Sequence, residues 1–272
     1  MEEKKERKIY FDFLRIFATF AVIILHVAAQ NWSLVNINSF EWNIFNFYDS
    51  IVRWGVPIFV MISGSLFLNK DQSLKKLYTK NILRIITAFI FWSLIYTILF
   101  SKDQGIKNMI ITFLKGHYHM WFLFMIVGLY MITPFIKKIT ENESLIKYFI
   151  ILALIFCIII PQTISIISIK SSSLGNLMQE LVNKISLHIV LGYTLYYILG
   201  YYLDKKDISK KTFKLISFLG IFGFIATIIL SILLSKYTQK ANTLFYGNFT
   251  INVLLEAIFI FSIFKKYLTK LN

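Results

Sequence analysis

Eight apolar runs, each near the ~20 residues that carry a helix across a hydrocarbon core of ~30 Å, dominate this chain and leave only short polar gaps between them. They fall at roughly 9–30, 44–68, 83–100, 119–136, 146–169, 187–203, 212–235 and 249–266. In lipid such runs must be helical, because each backbone N–H and C=O then finds its partner inside its own segment. Hydrophobic residues make up 57% of the 272 and charged residues 16%, which is more apolar surface than a soluble domain of that length can hide. The expected fold class is all-α: a polytopic transmembrane helical bundle of about eight helices. It forms one membrane-embedded domain over residues 1–272, since no Gly/Ser/Pro-rich linker divides it. The three prolines, Pro57, Pro134 and Pro161, lie in or beside apolar runs, where membrane helices tolerate them.

A net charge of +15 would suit a nucleic-acid binder, but the lysines sit in the gaps and form no continuous patch, so no nucleic-acid partner is expected. Their distribution sets orientation instead. The N-terminal tail, the second, fourth and sixth gaps and the C-terminal tail together hold twenty Lys and Arg; the intervening gaps hold seven. The N and C termini are therefore expected to be cytoplasmic. Val27-Ala28-Ala29 mimics a signal-peptide cleavage site, but Asp12, Arg15 and His26 interrupt the apolar run before it, so the first run is expected to remain as a span. Cys157 stands alone, which leaves no intrachain disulfide and no thiolate metal cluster.

Ionisable residues inside a membrane cost roughly 2.5–3.5 kcal/mol each at a helix centre, so each calls for a reason. Arg15 and His26 are eleven residues apart, ~16 Å of helical rise, and eleven steps of ~100° bring both to one face. Asp12 lies three residues before Arg15, as its i,i+3 partner. The bland reading is that Arg15 snorkels to the headgroups and His26 is a satisfied interior histidine. The alternative gives the imidazole acid–base work, since it exchanges protons near neutral pH. Arg53, several residues inside the second run, is either a headgroup anchor or the lining of an outer-facing polar cavity. Glu256 is read as a structural partner for Arg15 or Arg53. His117 and His119, with no third ligand, are not expected to hold a metal. Tyr118 and Trp121 suit an interfacial aromatic belt.

The same stretches resemble the acyltransferase-3 family of integral membrane acyltransferases. Arg15, ten intervening residues and His26 match its first-helix motif, within Asp12-Phe13-Leu14-Arg15. Arg53-Trp54-Gly55-Val56-Pro57-Ile58-Phe59 running into Met61-Ile62-Ser63-Gly64 is also similar, as is His119-Met120-Trp121-Phe122 running into Gly128-Leu129-Tyr130 and Thr133-Pro134. The resemblance spans residue 9 to the end and is closest to the branch that O-acetylates surface polysaccharides and related envelope glycans. It implies transfer of an acyl group, usually acetyl, from cytoplasmic coenzyme A to a hydroxyl at the outer face, with the first-helix His and Arg required. It also implies an Arg-x-x-Arg motif for the donor's phosphates. Here that motif reads Asn81-Ile82-Leu83-Arg84, with Lys80 adjacent but lacking arginine's bidentate fork. Members usually have about ten helices against the eight counted here, which leaves the family's last two without a counterpart.

Together these expectations give one mechanism. Lys75, Lys76, Lys80 and Arg84 attract the donor's phosphates, Arg15 and Asp12 guide the pantetheine arm, and His26 acts as general base on the acceptor hydroxyl or as a transient acyl carrier. Arg53, His119 and Trp121 belong to the acceptor side, where developing oxyanion charge needs donors. Acetyl-CoA is the donor substrate, and no permanently bound cofactor or metal is expected. The partners are acyl-CoA, an envelope glycan or lipid-linked sugar, and membrane lipids. The Lys-, Ile-, Asn- and Phe-rich vocabulary points to an AT-rich bacterial genome and a cytoplasmic-membrane location. Two other classes stay open: a transporter or flippase of an envelope precursor, for which intramembrane charges are equally apt, and a catalytically inactive membrane partner. Against the transporter, no inverted repeat is evident.

Overall fold

A computed structural model describes residues 8–101, 105–185 and 192–269. Among them the chain is all-helical, with no strand. In chain order the helices are α1 (Ile9–Trp32), α2 (Phe40–Ser50), α3 (Gly55–Leu68), α4 (Leu74–Ser101), α5 (Ile106–Lys115), α6 (Trp121–Thr140), α7 (Glu143–Lys170), α8 (Ser172–Ile185), α9 (Thr194–Lys205), α10 (Lys210–Thr238) and α11 (Ile251–Leu268). Among the described residues seven stretches are long and apolar enough to cross a membrane: α1, α2 with α3, α4, α5 with α6, α7, α10, and Leu244–Leu268 containing α11. The chain is a multi-pass membrane protein.

The run expected at 187–203 differs. Residues 186–191 lie outside the described residues, and the helix that follows, α9, has 12 residues. Leu195, Tyr196, Tyr197 and Ile198 are fully buried in it, so this helix faces protein on all sides rather than lipid. Two gaps read as loops hold amphipathic helices. In α5, Ile106, Ile110 and Leu114 are exposed, and in α8 Leu174, Leu177, Leu181 and Ile185 are. Both patterns follow the i, i+3/i+4 spacing of a helix lying along an interface. The gap before α4 is helical too: the Ser73 side chain caps Lys76 N–H, and the helix then runs on into the span.

Prolines explain two of the irregularities. A proline ring clashes with the carbonyl four residues earlier and offers no N–H. Pro57 therefore forbids a regular helix at Arg53, and the backbone turns at 51–54 between α2 and α3. Pro161 conflicts in the same way with Cys157, and α7 answers with a π-helical turn, Leu154–Ile159.

Two compact units divide the chain: Met1–Leu66 with Asn142–Asn272, and Phe67–Glu141. In the first, α10 packs along α11 through Gly220, Gly223 and Thr227, and the buried stripe of small residues runs on through Ser231, which bonds Asn46 on α2, and Ser235. Small side chains let membrane helices approach closely where lipid offers no hydrophobic drive. α3 and α9 meet in the same way: a Cβ on Gly64 would overlap the Tyr197 carbonyl, and one on Gly200 would overlap that of Met61. At one end of the unit Trp32, Trp42 and Tyr246 form an aromatic cluster, the indoles stacked at 5.9 Å. At the other, Lys8 Nζ donates to both Asp204 oxygens at 2.6 and 2.8 Å, and Tyr10 Oη donates to Oδ1 at 2.5 Å. Lys265 Nζ donates to the carbonyls of Leu203, Asp204 and Lys206 at 2.7–2.8 Å, closing the C-terminus of α9. Residues near both chain ends thus meet at the same end of this unit.

In the second unit, α5 folds back on α4. Ser93 Oγ donates to the Phe113 carbonyl, and Ser101 Oγ donates to Thr112 Oγ1 at 3.1 Å. Gly116, with φ +68°, takes the turn that leads out of α5.

Candidate functional site

The first unit carries two polar constellations inside its spans. The first lies on α1. Leu14, Ala18, Ala21, Ala28 and Trp32 form this helix's buried face. At ~100° per residue, Arg15 and His26 share a flank roughly 100–125° round from it. Arg15 Nη1 donates to Asp12 Oδ1 at 2.8 Å, and the two side chains are 43% and 29% exposed. His26 is likewise half-buried. The α-helix is continuous between Arg15 and His26, so the ~16 Å axial separation holds. The charge pair and the imidazole are thus on one accessible flank, beside the face that is locked into the bundle.

The second constellation is deeper and was only half visible in the sequence. At the turn that Pro57 imposes, Arg53 is paired with Asp49, one helical turn earlier, and its guanidinium carbon sits 3.9 Å above the Tyr246 ring. The Asp49 side chain is fully buried and that of Arg53 is 14% exposed. Arg53 is therefore not a headgroup anchor; it is an interior cation held by a carboxylate and an aromatic face. Polar groups continue from there. Tyr246 Oη donates to Asn46 Oδ1 at 2.5 Å, and Ser231 Oγ donates to the same oxygen at 2.9 Å. Thr227 Oγ1 donates to Glu256 Oε1 at 2.5 Å, and Asn252 Nδ2 donates to Thr227 Oγ1 at 2.8 Å.

Glu256 is thus bonded to Thr227 and not to Arg15 or Arg53 as expected. It lies within Coulombic range of Arg53, but Asp49 holds the guanidinium directly. The signal for Asp49 was its i,i+4 spacing from Arg53. For Thr227 and Ser231 it was the small-residue stripe. Nothing in the sequence pointed to Tyr246. Among the described residues Asp49 Oδ1, Arg53 Nε, Asn252 Oδ1 and Glu256 Oε2 are buried without a hydrogen-bond partner. Buried atoms of this kind cost roughly 1–3 kcal/mol each. Four of the nine such atoms among the described residues thus belong to this network.

The second unit holds the other expected site residues. Lys76, Lys80 and Arg84 are exposed along the start of α4, spaced at four residues and therefore on neighbouring turns of one face. The stretch Leu77–Ile82 is π-helical, a rare geometry that is frequent at functional sites. Asn81, where the Arg-x-x-Arg motif would have its first arginine, donates to Gln72 Oε1 at 3.1 Å. It has become a local brace rather than a cation. Lys137, on α6, pairs with Asp71.

Further along α4 is a cavity of about 300 Å³ lined by Trp92, Tyr96, His119, Met120, Phe122 and Leu123. His119 belongs to it; Trp121, at the start of α6, does not. His117 and His119 share a hydrogen bond between their Nδ1 atoms, 2.7 Å apart. Two nitrogens on a tetrahedral zinc at ~2.0–2.1 Å would be about 3.3 Å apart, so this spacing is that of a hydrogen bond. No group of three or more metal-ligating side chains occurs among the described residues.

The first unit therefore holds an imidazole, a guanidinium–carboxylate pair and a buried ionic network within apolar spans, and the second a basic helix end and an aromatic cavity. No curated protein and no solved structure matches the chain. The model of the acyltransferase-3 family, described as an acyltransferase domain, matches residues 8–271, and the chain belongs to that family.

Proposed function

We propose that this protein transfers an acyl group, acetyl in the first instance, from cytoplasmic acyl-CoA to a hydroxyl of a bacterial cell-envelope glycan at the outer face of the cytoplasmic membrane. Family membership supports a membrane O-acyltransferase. The observation that carries the finer reading is the flank of α1, where Arg15 and His26 stand ~16 Å apart on a continuous helix anchored by its neighbouring buried face. That separation suits a long extended donor arm guided by Arg15 at one end with its thioester near His26.

The chemistry assigned to His26 is proton transfer. Its neutral imidazole takes the proton of the acceptor hydroxyl as the oxygen attacks the thioester carbonyl, and returns it to the departing thiolate as the C–S bond breaks. Asp12 fixes the guanidinium of Arg15 by its 2.8 Å hydrogen bond. Lys76, Lys80 and Arg84 supply a field that recruits the phosphates of coenzyme A. Arg53, braced by Asp49 and Tyr246, supplies a rigid cationic donor of the kind that stabilises developing oxyanion charge.

The test is release of free coenzyme A from acetyl-CoA by the protein in lipid vesicles, beside His26→Ala and Arg84→Ala. Removing a general base costs on the order of 10²–10⁴ in rate. Loss of turnover in His26→Ala with intact insertion, and a raised KM for acetyl-CoA in Arg84→Ala, is the expected result. Full turnover by His26→Ala would sink the assignment. Failure of the unmodified protein to bind acetyl-CoA would leave the transporter or inactive-partner reading in its place.

A further inference from the structure

Two contacts set the register of α1 against α2 and α3 within the first unit, to which every residue named below belongs. At one end the rings of Trp32 and Trp42 stack at 5.9 Å. At the other, a Cβ on Gly55 would come 3.1 Å from Val22 Cγ2 and 3.3 Å from Ala21 Cβ. The two segments therefore run antiparallel, and depth can be counted along both. His26 lies six residues from Trp32, ~9 Å along α1, and one turn from Val22 on the same face. Asp49 lies seven residues from Trp42, ~10 Å along α2, and Arg53 comes two residues before Gly55. His26 thus falls between Asp49 and Arg53 in depth. The imidazole of the flank and the ion pair of the interior share one level of the unit.

What the guanidinium can do at that level is set by its surroundings. Nη2 is committed to Asp49, and Nε is buried without a partner. Donor capacity toward a reacting group is left with Nη1, on a side chain that keeps 14% of its surface exposed. A single remaining donor is useful only where its direction is fixed. Asp49 fixes one point and leaves the guanidinium plane free to swing about it. Tyr246 removes that freedom, its ring centre lying 3.9 Å from the guanidinium carbon. The ring is itself held on two sides. It packs on Trp32 at 5.1 Å, while its hydroxyl donates to Asn46 Oδ1 at 2.5 Å and accepts from Ser50 Oγ at 3.3 Å. Tyr246 is buried, so it acts on Arg53 and not on a ligand.

We infer that Tyr246 is a positioning residue for acyl transfer: its ring sets the plane of the Arg53 guanidinium, so that Nη1 is aimed at the developing oxyanion on the level of His26. The inference rests on the proposed acyl transfer and on the place of Arg53 in it. It adds the residue that makes Arg53 directional, and it separates two parts of that residue. The aromatic face orients Arg53, and the hydroxyl only anchors the ring.

Coenzyme A release by the full chain in lipid vesicles, read as kcat and as KM for acetyl-CoA beside the melting temperature, tests it. Tyr246→Leu should lower kcat roughly ten- to a hundredfold, the cost of a misaimed group. Its KM for acetyl-CoA should not move, because the contact it upsets is made in the transition state. Tyr246→Phe keeps the face and loses the bonds to Asn46 and Ser50, so it should melt lower and still hold kcat within about twofold of the unmodified protein. Phe261→Leu, which shortens a buried ring packed on Tyr10 and Phe11, should lower melting and leave kcat alone. Tyr246→Met, similar in bulk and adaptable, removes the face should Tyr246→Leu fold poorly. An unchanged kcat in Tyr246→Leu or Tyr246→Met, beside an active unmodified protein, overturns the positioning role alone. A kcat in Tyr246→Phe as low as in Tyr246→Leu also overturns it, since the loss would then follow stability and not the face. No release by the unmodified protein overturns the transferase reading, and this inference with it.

Discussion

A buried ion pair shows its energetics most clearly when one partner is removed. Asp49 is fully buried and Arg53 nearly so, so Asp49→Ala would strand a guanidinium in the bundle. Breaking such a pair costs about 3–5 kcal/mol, whereas replacing both partners by apolar groups of similar volume is often neutral. Arg53→Met should therefore lower the unfolding temperature in detergent sharply, and the double variant Asp49→Leu/Arg53→Met should recover most of the loss. A double variant as unstable as the single would show that the pair is not the unit of stability. Thr227→Val is a smaller case. It deletes the hydroxyl that donates to Glu256 Oε1 and, with Oε2 already without a partner, should cost roughly 1–3 kcal/mol in the same assay. The sequence marked Arg53 and Glu256 as anomalies because charge in lipid is expensive. It did not reveal Tyr246 beside Arg53 or Thr227 beside Glu256, since these are ordinary residues until α2, α10 and the stretch that leads into α11 pack together.

Helix contacts in this protein are written in glycine. Gly64 on α3 and Gly200 on α9 have no room for a methyl group, because the facing carbonyls of Tyr197 and Met61 belong to backbone that cannot yield without parting the helices. Gly128 on α6 has nothing within 4 Å of an added Cβ. Alanine is better than glycine in a helix interior by about 1 kcal/mol. Gly128→Ala should accordingly be neutral or stabilising, and Gly64→Ala strongly destabilising, in thermal unfolding. Similar melting of the two would mean that the α3–α9 approach is looser than described. The prolines were expected only to be tolerated within spans such as 44–68; Pro57 instead splits that run by the turn at 51–54, and Pro161 imposes the π-turn in α7. The amphipathic helices α5 and α8 were harder to read. Ten to fourteen residues of mixed polarity between spans look like loops until their apolar residues are seen to share one side.

For the molecule as a whole, orientation is the property most open to test. The distribution of lysines and arginines leads us to propose that both ends are cytoplasmic; Lys8 and Lys265 lie together at one end of the first unit, around Asp204 and its neighbours. Single cysteines in a Cys157→Ala background should report it. Lys75→Cys should resist an impermeant maleimide added outside intact cells, and Lys184→Cys should react; the reverse pattern would invert the topology. The sequence by itself determined the solvent of this protein, its helical class and the flank of α1 that carries Arg15 and His26. Hydrophobicity, backbone hydrogen bonding and the 3.6-residue period are local properties, and each segment declares them alone. Only the tertiary structure decided that α9 is an interior helix, that Asp49 and Tyr246 hold Arg53, and that Trp92 rather than Trp121 lines the cavity beside His119. Those facts depend on which faces of distant helices meet, and close packing through small residues, not any periodic signal, selects them.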